Sequence, residues 1–129
     1  MKWVFAKLEK GDHIRVKRPY YYHHGVYVGG GMVVHFTGEE NDSVSEPEKV
    51  LVRKTTLDFF ANGTIVEKAK PSFIEKMYVR KTDKILENAE KAVGEGKYDF
   101  LHNNCEDLAN RICYKKKLTS QVNDIKDKI

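Results

Sequence analysis

Three consecutive glycines, Gly29-Gly30-Gly31, stand between two runs dense in Val, Tyr and Phe, His24 to Gly29 and Met32 to Thr37. Branched and aromatic residues suit a pleated surface, and glycine supplies the left-handed backbone of a tight turn, so this pattern predicts a β-hairpin. Upstream, His13 to Arg18 alternates, with Ile14 and Val16 on one face, and Pro19 stops it. Val50 to Lys54 and Thr64 to Lys68 read as two more short strands, the second after the turn signal Asn62-Gly63. Glu39 to Lys49 is polar and contains Pro47, which predicts an exposed loop.

Beyond this point the period changes. Thr82 to Val93 carries Ile85, Leu86, Ala89 and Val93 at helical spacing, and Gly94 and Gly96 follow its end. A second helix is expected from about Asn104, with Leu108, Ala109, Ile112 and Cys113 on one stripe. A third short segment holds Val122, Ile125 and Ile129 after a Thr119 or Ser120 cap. Strands first and helices afterwards make an α+β chain, and its 129 residues suit a single domain over 1–129.

Composition removes several function classes. The 23 basic and 19 acidic residues leave a net charge of only +4, scattered along the chain, without the aromatic-interleaved basic patch of a nucleic-acid binder. The run Lys115-Lys116-Lys117 is expected to be a solvated helix end. No apolar run approaches the roughly 20 residues needed to cross a bilayer. Trp3 to Ala6 is too short for a signal-peptide core, so a cytoplasmic setting is expected. Glycines 25 and 29–31 fall in a hairpin rather than a strand-to-helix turn, which declines a dinucleotide fingerprint. Asn62-Gly63-Thr64 reads as a turn rather than a glycosylation acceptor, and Tyr20-Tyr21-Tyr22 as core or pocket lining rather than a base-stacking platform.

The chemistry concentrates around Cys105. In Asn103-Asn104-Cys105-Glu106-Asp107, an Asn followed three residues later by Asp is the pattern of a helix cap, which makes Cys105 the first helical residue. Unpaired N–H groups there favour thiolate over thiol and can hold a developing oxyanion. Glu106 and Asp107 oppose that effect, so a neighbouring imidazole is required. Cys113 lies two turns further on, where a cysteine is normally a small buried hydrophobe. Eight residues of helix separate the two sulfurs by about 12 Å, beyond disulfide reach, so both are expected to be free.

Strand parity sorts the histidines. His23, Gly25 and Tyr27 share one face, while His24, Val26 and Val28 share the other. The hairpin returns His35 to the level of His23, so one of these two can act as base and the other can orient it. His13 and His102 are expected at the surface. His23, His35 and Cys105 are also acceptable zinc ligands, which keeps a metal site open as an alternative, though no short ligand spacing appears.

Taken together, Pro19-Tyr20-Tyr21-Tyr22-His23, Tyr27-Val28-Gly29, Val33-Val34-His35-Phe36 and Asn104-Cys105-Glu106 resemble the marks of lecithin:retinol acyltransferase-like proteins, including the H-Ras-like suppressor phospholipase/acyltransferases. The match runs over about residues 11 to 115, with a domain core of about 8–117. It implies a circularly permuted papain-like fold of the NlpC-type thiol hydrolases: an antiparallel sheet followed by helices, with the nucleophile at a helix N-terminus. It implies Cys105 as nucleophile and acyl carrier, His23 as base and ion-pair partner, and His35 as the third member. Tyr21 would help position the acyl carbonyl, and the oxyanion would lie at the Cys105 backbone N–H, beside Asn104. No cofactor is implied.

Three departures from the animal relatives are visible. His24 stands where they carry Trp, Asp107-Leu108 where they carry His-Phe, and the charged stretch 115–129 where they carry a hydrophobic anchor. The expected activity is therefore a cysteine-dependent acyl hydrolase or acyltransferase acting on an ester, thioester or amide. Its partner is an acyl-bearing small molecule, lipid or peptide amide, with room for peripheral membrane contact but none for nucleic acid. The other alternative is a non-catalytic binding module on the same fold.

Overall fold

The computed structural model describes residues 1–40, 47–100 and 102–115. Six strands form one antiparallel sheet: β1 (Lys2–Val4), β2 (His13–Lys17), β3 (Tyr22–Gly29), β4 (Met32–Thr37), β5 (Leu51–Thr56) and β6 (Val66–Lys70). Their spatial order is β1-β6-β2-β3-β4-β5. The helices are α1 (Leu57–Ala61), α2 (Thr82–Ala92) and α3 (Cys105–Cys113), with 3₁₀ turns at Pro47–Lys49 and Glu75–Tyr78. The expected α+β order holds, except that α1 interrupts the strands.

Each face of the sheet carries its own core. Val26, Val34, Phe36 and Val52 pack with Ile85 and Ala89 of α2 and with Leu108, Ala109 and Ile112 of α3. On the other face Ile14, Val16 and Val33 pack around Phe60 of α1. Side chains such as Phe36, Phe60, Leu108 and Ile112 are fully buried, and each contributes about 1.5–3 kcal/mol by leaving water.

The β3–β4 hairpin forms as expected, with Gly29, Gly30 and Gly31 all at positive φ. Its ladder pairs Tyr27 with Val33 and Val26 with Val34, and the paired register goes no further. Beyond Val26, β3 stays on β2 through His23↔Val16 and Tyr22↔Lys17, while β4 stays on β5 through His35↔Arg53 and Thr37↔Leu51. The sheet therefore parts between the start of β3 and the end of β4. The first residue of α3 enters at this split.

Several expectations need correction. β1 and α1 are additional elements, and the fifth and sixth strands lie one or two residues later than expected. The turn expected at Asn62-Gly63 is present, and Asn62, at φ 48, also closes α1 as a left-handed C-cap. His13 is buried rather than at the surface, because β6 and β1 extend the sheet beyond β2 and make that strand internal. The helix expected over Val122 to Ile129, and residues 116 and 117 of the basic run, lie outside the described residues.

Candidate active site

Asn104 caps α3 with a full capping box: its side chain accepts the Asp107 N–H at 3.0 Å, and Asp107 accepts the Asn104 N–H at 3.2 Å. The Asn104 amide nitrogen also donates to the Phe100 carbonyl at 2.9 Å, tying the preceding loop to the cap. This local chemistry starts the helix at Cys105, as the sequence predicts. Cys105 is only 6% exposed. Its sulfur accepts the His24 N–H at 3.4 Å and lies 3.8 Å from the Tyr22 carbonyl oxygen.

Those two contacts belong to the peptide groups on either side of His23. The carbonyl of Tyr21 and the N–H and carbonyl of Tyr27 bond toward β2 and its flanking residues. By strand alternation the backbone of Tyr22 and His24 faces the β4 side, where β4 has diverged. The Cys105 sulfur takes up backbone groups that β4 leaves behind, so the thiol sits in the split between the strands.

His23 and His35 meet as expected, with His23 Nε2 2.8 Å from His35 Nδ1. Both rings are buried. The far nitrogen of His35, Nε2, lies 2.8 Å from the Thr55 hydroxyl oxygen, and that hydroxyl donates to the Thr56 carbonyl at 3.2 Å. Phe60 packs on both rings, with centroids 5.2 Å from His23 and 5.0 Å from His35. The Tyr21 ring stands edge-on to His23 at 6.5 Å. Arg18 donates to the Phe60 carbonyl at 2.8 Å and places its charge toward His23.

The electrostatics are set mainly by burial. Burial pushes the Cys105 thiol up to about 11, against the pull of the backbone N–H groups of His24, Glu106 and Cys105 itself. This reverses the expectation of a lowered thiol: desolvation of the negative sulfur outweighs the helix end. Burial, then the charge of Arg18, lowers His23 to about 3. Burial thus favours the neutral form of both the thiol and the imidazole. Cys113 is fully buried, and its thiol is pushed up further by the same cause. Both cysteines are free.

His24 projects to the opposite face, as its parity requires. Its Nδ1 lies 2.8 Å from His13 Nε2, and its Nε2 lies 3.5 Å from the Glu106 carboxylate. His13 Nδ1 in turn lies 2.8 Å from the Tyr114 hydroxyl, and the Trp3 ring stands edge-on to both imidazoles. His102 is exposed, near Asp99. Among the described residues, no group of three or more His, Cys, Asp and Glu side chains is arranged to hold a metal ion.

Gly25, Thr55 and Phe60 are site-building residues that the sequence reading did not single out. A Cβ on Gly25 would lie 2.7 Å from Phe60 Cε1 and 2.8 Å from Val33 Cγ1, so only glycine lets the two imidazoles and Phe60 close together. A signal for α1 was available in Thr56 ahead of Leu57-Asp58-Phe59-Phe60, since Thr56 accepts the Phe59 N–H as an N-cap.

Comparison with known sequences gives the family of this chain. A sequence model of the family described as "Lecithin retinol acyltransferase" matches residues 6–118. The chain belongs to the lecithin retinol acyltransferase family. Relatives include human "Phospholipase A and acyltransferase 3", 30% identical over 134 residues that cover 97% of this chain and 82% of that protein. The mouse protein of the same name is 30% identical over 123 residues, covering 88% of this chain and 75% of its own length. Human "Phospholipase A and acyltransferase 2" is 29% identical over 121 residues, covering 87% of this chain and 74% of that protein. Among the described residues of this family member, no helix is long and apolar enough to cross a membrane.

Proposed function

We propose that this chain is a lipid acyl hydrolase or acyltransferase that works through a Cys105 acyl-enzyme, on a single lecithin retinol acyltransferase-like domain of permuted papain-like fold. The observation that carries this reading is the Cys105 sulfur lodged against the two peptide groups flanking His23, at the capped start of α3. The names of the relatives make a phospholipid ester the first substrate to try. The free thiols Cys105 and Cys113 suit a reducing compartment such as the cytoplasm.

In this reading each residue takes a role that the geometry and the charge states support. Because thiol and imidazole start neutral, the proton passes from the Cys105 sulfur to His23 as the sulfur attacks the acyl carbon. His23 becomes a cation, and its Nε2–H is held by His35. The negative oxygen of the tetrahedral intermediate is met by the Cys105 backbone N–H, which Asn104 aims by capping the helix rather than by direct contact. Tyr21 borders the base and helps position the acyl carbonyl. Collapse expels the alcohol with the proton from His23, and water or an acceptor hydroxyl then takes the acyl group from sulfur.

Intact-mass measurement after mixing the protein with phospholipid vesicles tests this. The expected result is an acyl adduct on Cys105, absent in Cys105→Ala, together with release of lysophospholipid. A wild-type protein that binds vesicles but forms no adduct, and turns over no acyl ester, would assign the fold a binding role instead.

A further inference from the structure

The His23–His35 contact continues to a residue with a single side-chain proton to share. Thr55 Oγ1 carries a single hydrogen, and that hydroxyl donates to the Thr56 carbonyl at 3.2 Å. With its proton on that carbonyl, its oxygen is an acceptor toward His35 Nε2, 2.8 Å away, and this setting puts the proton of neutral His35 on Nε2. His35 Nδ1 consequently presents a lone pair to His23 Nε2, also 2.8 Å away. His23 Nε2 must carry the proton in that bond, and the lone pair of His23 is left on Nδ1.

We propose that Thr55 is a positioning residue of this site, which sets the tautomers of His35 and His23 in turn so that His23 Nδ1 is the nitrogen able to take a proton. The proposal rests on the reading of His23 as base to Cys105. The opposite setting would disable that base. A Thr55 hydroxyl donating to His35 Nε2 would put a proton on His35 Nδ1, the His23 lone pair would be spent on Nε2, and Nδ1 would already be protonated. With Thr55 as found, transfer of the thiol proton to Nδ1 gives a His23 cation whose Nε2–H still points at a lone pair of His35. No second proton has to move.

The surroundings favour one fixed arrangement. Thr55 shares its sheet face with His35, because β4 and β5 pair Val33 with Thr55 and His35 with Arg53. The His35 ring is 1% exposed and meets Phe60 edge-on at 5.0 Å, with Phe59 at 6.2 Å. Thr56, whose carbonyl takes the hydroxyl proton, is itself held as the N-cap of α1. The sequence pair Thr55-Thr56 thus both starts a helix and orients a proton relay.

Histidine tautomers are read directly by long-range proton–nitrogen NMR on protein labelled with ¹⁵N-histidine at neutral pH. In the wild-type protein His23 and His35 should both be protonated on Nε2. Thr55→Val removes the hydroxyl at nearly constant volume. It should mix or reverse both tautomers and lower kcat by about tenfold to a hundredfold with little change in KM. Thr55→Ser should restore spectrum and rate together. A wild-type His23 protonated on Nδ1, tautomers indifferent to Thr55→Val, or a tautomer change with unaltered kcat would each overturn the proposal. Failure of the function reading is separable: it shows as absence of any Cys105 acyl adduct in the wild-type protein, whatever the NMR spectrum reports.

Discussion

Lowering the pH from about 7.5 to about 5 should destabilise this protein strongly, because three histidines are buried in their neutral form. Burial is the leading cause in each case: His23 is lowered to about 3, His24 to about 4, and His13 well below its ordinary value of 6.5. The sign follows from which state binds protons. Below pH 6.5 the unfolded chain protonates these rings while the folded chain does not, so stability is lost as pH falls from 6.5 toward 4. At pH 5 His23 and His24 each forfeit 1.5 units, or about 2 kcal/mol, about 4 kcal/mol together, and His13 adds in the same direction. That is a large part of the stability of a small domain, and it corresponds to a fall in Tm of order 10–15 °C. Urea denaturation at a series of pH values measures it directly. Between pH 5 and 6 the unfolding free energy should rise by at least about 2.5 kcal/mol per unit, the signature of the two protons of His23 and His24. His24→Gln should reduce that slope by about one proton. A slope below that of one proton would refute the neutral, buried assignment of these rings.

Two further outcomes follow from the same geometry. Alkylation of Cys105 should accelerate through the range between pH 9 and about 11, following the thiol pushed up by burial, while Cys113 stays protected; peptide mass spectrometry locates each adduct, and half-maximal reactivity below pH 8 would contradict this. Gly25→Ala should cost about 1–3 kcal/mol in urea denaturation and lower turnover as well, because its Cβ would displace Phe60 and come within 3.3 Å of His35 Cβ; unchanged stability would show that the contact is not tight.

The match between sequence and structure is best wherever short-range chemistry decides. The hairpin at Gly29 to Gly31 needed only a left-handed turn between two branched runs, and the start of α3 needed only Asn104 and Asp107 three residues apart. The opposite facing of His23 and His24 is likewise a property of any strand. Even the meeting of His23 with His35 follows from that turn and two strand lengths.

What could not be read locally depends on neighbours distant in the chain. His13 has the alternation of a half-exposed strand, yet β6, arriving more than fifty residues later, and Tyr114 enclose it. Thr55 is an unremarkable strand residue until the β4–β5 register brings its hydroxyl to His35. The state of the Cys105 thiol shows the same division. The sequence by itself determined that this cysteine begins a helix, where unpaired N–H groups favour a thiolate. Only the tertiary structure decided that the sulfur is lodged in the split between β3 and β4, where the cost of burying charge exceeds the pull of those N–H groups and the proton stays on sulfur.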